Sequence, residues 1–227
     1  MSVQRQILAR LLSIITQTTI YPTKAEVPSE VTAEDFTHEI YKNLIQKKFS
    51  IHETAEKPAE EKHYYLGNLF NPGFNYDFRG IDDKGEPKQQ GHYKYYRPCG
   101  SYRFGLNVQG QYEDDSWLSV TSVENEWPIS YSAIHTKAIP EIEEYAKKLN
   151  LQNEESIMFS TNHFQLALDQ TDVLTDPLDG KRYKILFQNK VNSKTLRKAD
   201  EIGGSEHFWF VPSQNDFRVY AICLFEM

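Results

Sequence analysis

Apolar positions change their period along this chain, and the changes divide it. Val3, Ile7, Leu8, Leu11, Leu12 and Ile15 recur at the three- and four-residue steps of an amphipathic helix. Pro22 and Pro28 bracket a break, after which Thr32-Ala33-Glu34-Asp35 forms an approximate capping box with Asp35 in the usual Glu position. Phe36, Ile40, Leu44 and Ile45 then make one apolar stripe, and Lys42, Lys47 and Lys48 fall late in that helix, where cations suit its dipole. Between His52 and Lys62 the periodicity stops, and the charge-rich run around Pro58 reads as a linker.

From Tyr64 onward the pattern becomes that of short strands between turns, with turn signals at Asn71-Pro72-Gly73, Asp82-Asp83-Lys84-Gly85, Glu113-Asp114-Asp115-Ser116 and Asp176-Pro177-Leu178-Asp179-Gly180. The densest aromatic and β-branched patterning runs from Arg97 to Val108 and resumes from Glu126 to Tyr131, which marks the centre of a sheet. Strands are expected at Tyr102 to Val108, Trp117 to Val120, Ile129 to Tyr131, Ser156 to Ser160, Tyr183 to Val191, His207 to Val211 and Val219 to Phe225. Helices are expected at Pro140 to Leu149, whose Glu-rich start and Lys-rich end complement the dipole, and at Asn162 to Leu168. The expected class is α+β, with an N-terminal helical segment over 1–50, a linker over 51–63 and a strand-rich domain with inserted helices over 64–227.

At 227 residues, 39% hydrophobic and 13% aromatic, the chain can bury a substantial core. Its net charge of -7 supplies no clustered basic face for duplex nucleic acid, and acids flanking the Tyr and Phe clusters favour cross-strand packing over base stacking. No apolar run is long enough to span a membrane. Cys99 and Cys223 are far apart and read as small buried residues in a reducing, intracellular setting, the cytoplasm first. Met1 to Lys24 also suits a mitochondrial presequence, but its few basic residues and little serine favour an ordinary helix.

The residues alone supply no phosphate-binding glycine loop, nucleophile elbow, His-x-x-x-His pair or Cys-x-x-Cys. The seven histidines are scattered and read as surface or satisfied core positions, and the three adjacent acids at 113–115 lack the alternating spacing of a calcium loop.

Longer signatures carry a resemblance. Tyr96-Arg97-Pro98-x-Gly100-x-x-Arg103-Phe104-x-Leu106-x-Val108, Glu126-Trp127-Pro128-x-Ser130-Tyr131, Tyr183 to Asn192 and Arg218-x-Tyr220-x-Ile222 are similar to a family of uncharacterised fungal and animal proteins. In that family Ser-Tyr is followed by His-Gly-Thr, and a later Gly-Ile-Tyr-Ser-Thr-Pro resembles the second signature strand of the poly- and mono-ADP-ribosyltransferases. The resemblance covers 64–227 and implies an ADP-ribosyltransferase-like split sheet with NAD as ligand.

In such transferases the histidine holds the nicotinamide ribose, the tyrosine stacks on nicotinamide, and a later glutamate completes the site. This chain departs from that pattern, with Ser132 and Ala133 where His and Gly are expected and Phe159, followed by Ser160, where Tyr is expected. Serine can hydrogen-bond a ribose hydroxyl and phenylalanine can stack, so the substitutions favour binding over turnover. Glu206 fits the position of the carboxylate, and equally that of a charged residue opening a strand. His135, an odd three residues past Ser132, reads as a loop histidine on the other face.

Two readings follow. The first is a non-catalytic or weakly active ADP-ribosyltransferase-like module that binds a nucleotide-like molecule or a protein partner, with the 1–50 helices as docking element. The second is an active transferase or NAD glycohydrolase using Ser132, Phe159 and Glu206. Apart from both, the Val3 to Ile15 face offers a surface through which the chain would serve as a structural subunit of a larger complex.

Overall fold

A computed structural model of the chain describes residues 2–16, 18–23, 31–38, 40, 63–90, 92–119, 126–134, 140–149 and 157–227. Helix α1 (Val3–Thr16) leads into β1 (Thr19–Tyr21), and a second helix, α2, covers 33–38. The expected capping box forms at α2, where the Thr32 amide donates to Asp35 Oδ2 and the Asp35 amide to Thr32 Oγ1, each at 3.0 Å. Leu44, Ile45 and the linker around Pro58 lie outside the described residues.

β2 (His63–Tyr65) pairs parallel with β1 and runs into a single helical turn, α3 (Leu66–Leu69). β3 (Tyr76–Asp77), β4 (Lys88–Gln90), β5 (Tyr93–Tyr95) and β6 (Ser101–Gly105) follow, then β7 (Ile129–Ala133), α4 (Pro140–Lys148), β8 (Met158–Thr161) and α5 (Phe164–Gln170). The chain closes with β9 (Leu174–Thr175), β10 (Arg182–Val191), β11 (Arg197–Lys198), β12 (Phe208–Val211) and β13 (Phe217–Glu226). The main sheet is nine-stranded, in the order β11-β12-β8-β7-β10-β13-β6-β3 with β9 on β10, and every pairing in it is antiparallel. The α+β class expected from sequence is therefore present.

Alternation along β10 sets the two faces. Ile185, Phe187 and Val191 join Val219, Ile222 and Leu224 of β13 under α1, where Leu8, Leu11 and Leu12 are fully buried, and under α2 through Phe36. Leu186 and Cys223 point the other way, with Ile129, Tyr131 and Phe225, and meet Ala167 and Leu168 of α5. Ile7, Leu8, Leu11 and Leu12 of the α1 apolar face are thus buried in the chain's own core, which leaves Val3 exposed at its start.

A correction concerns Trp117 to Val120, expected as a strand; Val120 lies outside the described residues, and Ser116–Leu118 is a 3-10 turn. The Leu118 and Ser119 amides donate to the Asp115 and Ser116 carbonyls, each at 3.0 Å, so the turn's own backbone takes the amides a ladder would need. Cys223 is buried as expected, while Cys99 is only half-buried. Among the described residues no helix is long and apolar enough to cross a membrane.

Candidate functional site

The strands that carry Ser132 and Phe159, and the one that follows Glu206, are consecutive in the sheet, since β12 pairs with β8 and β8 with β7. Residues separated by long stretches of sequence are therefore brought side by side. Their side chains are sorted by register. Tyr131 stands directly opposite Thr161, and directly opposed residues share a face, so alternation puts Phe159 on the Tyr131 face and Ser132 with Ser160 on the other.

Packing agrees with that parity. Ser132 is buried and its Oγ accepts from Asn189 Nδ2 at 3.1 Å, while Ala133, half-buried, stands opposite Leu186. Ser160 is buried opposite Trp209. Phe159 packs on the reverse face against Phe208 and Phe210, with ring centroids 5.6 and 5.3 Å away, beside Leu149. Glu206 lies in the exposed turn ahead of β12, where its carbonyl accepts the Trp209 indole N–H at 3.0 Å. His135 lies outside the described residues.

A polar aromatic cluster sits where β8 ends and β12 begins, and scattered histidines gave no sign of it. Asn162 donates from Nδ2 to the Lys94 carbonyl at 2.9 Å, which leaves Oδ1 as acceptor 2.8 Å from His207 Nδ1. Since Oδ1 can only accept, that contact makes His207 Nδ1 the donor. His163 stacks on Tyr96 at 4.0 Å, and its ring centre is 5.5 Å from that of His207. Burial, and then His207, push the His163 pKa down, so the imidazole stays neutral at pH 7. The cluster offers stacked rings, and the carboxylate that acts on it is Asp169, which opposes the downward shift of His163.

The opposite end of the Tyr131 face holds a groove of about 180 Å³. Its floor is a directed hydrogen-bond chain in which Arg103 Nε donates to Gln188 Oε1 at 2.6 Å and Gln188 Nε2 donates to the Tyr131 hydroxyl at 3.1 Å. Arg103 also donates from Nη1 to the Phe74 carbonyl at 2.6 Å. That carbonyl comes close because residue 105 is glycine, where an added Cβ would stand 2.5 Å from the Phe74 Cβ.

A β-bulge completes the groove. The β10–β13 register shifts between Gln188 and Asn189, so Val219 opposes Asn189, Ala221 opposes Gln188, and Tyr220 is the extra residue. The extra residue turns its ring toward the groove, with the Arg103 guanidinium carbon 5.0 Å from the ring centroid. Tyr131 and Tyr220 stay protonated because burial holds both phenols well above their usual range. No protein-family model matches the chain, and neither a curated protein nor a solved structure matches it.

Proposed function

We propose that this protein is an ADP-ribosyltransferase-like domain used as a binding module that does not cleave NAD. The adjacency of β7, β8 and β12 supports the likeness, because a ribose-holding strand, a stacking strand and a carboxylate-bearing strand must be neighbours for such a site to exist.

The observation that carries the loss of turnover is the parity of Ser132 and Phe159, which face opposite sides of the sheet. Cleaving the glycosidic bond builds an oxocarbenium-like sugar, which requires a fixed ribose and a carboxylate converging on one centre. Ser132 is engaged by Asn189, Phe159 is packed among Phe208 and Phe210, and Glu206 is exposed.

Nicotinamide release from millimolar NAD tests the reading directly. Wild type and Glu206→Gln are expected to release nicotinamide at the same uncatalysed background rate. Release above background that Glu206→Gln abolishes would restore the enzyme reading.

A further inference from the structure

We propose that the Arg103 groove is a binding site for a small aromatic oxyanion, a carboxylate or phosphate monoester carried on a single ring. The inference rests on the binding reading above for its biological sense, but its geometry is independent of the transferase-like residues.

Charge comes first. Arg10, Arg79, Arg97 and Arg197 each pair with a carboxylate; among the described residues no carboxylate pairs with Arg103, nor with Arg5, Arg182 or Arg218, and of these four Arg103 is the one that lines a groove. At the rim Arg97 and Lys88 share the single carboxylate of Asp83, and Asp83 is held down to about 2 by the Arg97 hydrogen bonds, so that trio carries a net positive charge. Among the described residues neither Asp nor Glu lines the groove. The phenols of Tyr95 and Tyr220 are kept neutral by burial and do not compensate Arg103 from within. An oxyanion is the missing partner of this arrangement.

Orientation comes second. Gln188 is fixed at both ends, by Tyr131 and by Arg103, and the Phe74 carbonyl holds a second edge of the guanidinium. Arg103 is therefore held in one orientation before any ligand arrives, which lowers the ordering cost of binding. With Nε given to Gln188 and Nη1 to Phe74, the Nη2 end of the guanidinium and its charge remain to meet a ligand oxygen.

Size and walls come third. The cavity of about 180 Å³ falls below the roughly 300–1,000 Å³ typical of sites for drug-sized ligands, so it suits a single-ring group. Tyr76, Tyr95 and Tyr220 give flat walls, so the group attached to the anion is a ring.

The test is calorimetric titration of the full chain with phenyl phosphate and benzoate, alongside phenol and inorganic phosphate as half-ligands. Both whole ligands are expected to bind at least about tenfold more tightly than either half, and Arg103→Gln to weaken them about tenfold, with Arg103→Lys between. Tyr220→Leu should weaken the ring-bearing ligands and leave inorganic phosphate unchanged. Thermal unfolding confirms that each variant is folded, and the conservative Lys variant keeps the test open if Gln is not. Binding that is indifferent to Arg103, inorganic phosphate binding as tightly as phenyl phosphate, or no heat from any ligand at about 10 mM would overturn the proposal.

A phosphotyrosine peptide separates two sources of the same chemistry. Binding tighter than phenyl phosphate assigns the ring to a protein side chain, and equal binding assigns it to a free small molecule. In either case the site stands. Because nicotinamide release is measured separately, a silent groove leaves the non-catalytic reading intact, and an active Glu206 leaves the groove intact.

Discussion

Replacing Asp176 by alanine is expected to destabilise the protein by about 3–5 kcal/mol, the range for removing one partner of a buried ion pair. The Asp176 side chain is fully buried and pairs with Arg10, which reaches it from α1 and is itself only 27% exposed. Its Oδ1 also accepts the Leu178 amide at 3.0 Å, tying the turn after β9. Loss of the carboxylate leaves the guanidinium with only the more weakly acting Asp179 and opens that turn.

Asp176→Asn keeps an oxygen for Leu178 and removes only the charge, so it should fall between wild type and alanine. The Arg10 hydrogen bond holds the Asp176 pKa below its ordinary 3.8. With a lowered folded pKa, this stabilisation is present above 3.8 and is lost as pH falls through the folded value. Urea unfolding measures all three proteins, and equal stabilities would show that α1 is not pinned through this pair.

Lys190 should make stability rise with pH in a window where most lysines are silent. It is 2% exposed and donates from Nζ to the Trp127 carbonyl at 3.0 Å. Glu126 is also buried, and neither of its carboxylate oxygens has a hydrogen-bond partner among the described residues. The neighbouring cation, Arg218, is enclosed by Tyr112, Trp127 and Trp117 at 4.1, 4.6 and 5.2 Å.

Burial pushes Lys190 down from 10.5 to about 8, with Glu126 opposing. Between those values the unfolded chain binds the extra proton, so unfolding becomes harder as pH rises. Against Lys190→Met, in which the other ionisations are shared, wild type should gain on the order of 3 kcal/mol from pH 8 to pH 10.5. A flat difference over that window would contradict the burial of an ionisable amine.

Periodicity and capping chemistry carry much of the fold. Thr32 and Asp35 announce α2, and the alternation from Tyr183 to Val191 announces β10, because both signals are local. Trp117 was misread for an equally local reason, since the turn read at Glu113 to Ser116 runs on through Leu118, whose amide bonds back to Asp115. Parity across strands is different in kind. Ser132 and Phe159 follow strand signatures, but which face each takes depends on Tyr131 meeting Thr161, and a shift of one residue would reverse it.

The groove was less legible still. Arg103 and Gln188 lie 85 residues apart, and Tyr220 reaches them only through a bulge that alternation cannot foresee. The Asn162–His207 contact likewise spans 45 residues and has no spacing motif to betray it.

The proposed binding lies at the pre-oriented Arg103, and Ser132, Phe159 and Glu206 have no part in it. The affinity of phenyl phosphate, measured side by side for Arg103→Gln and Glu206→Gln, tests that division. The expected result is a loss of about tenfold for Arg103→Gln and wild-type affinity for Glu206→Gln. Loss of binding in Glu206→Gln with Arg103→Gln unaffected would contradict the account.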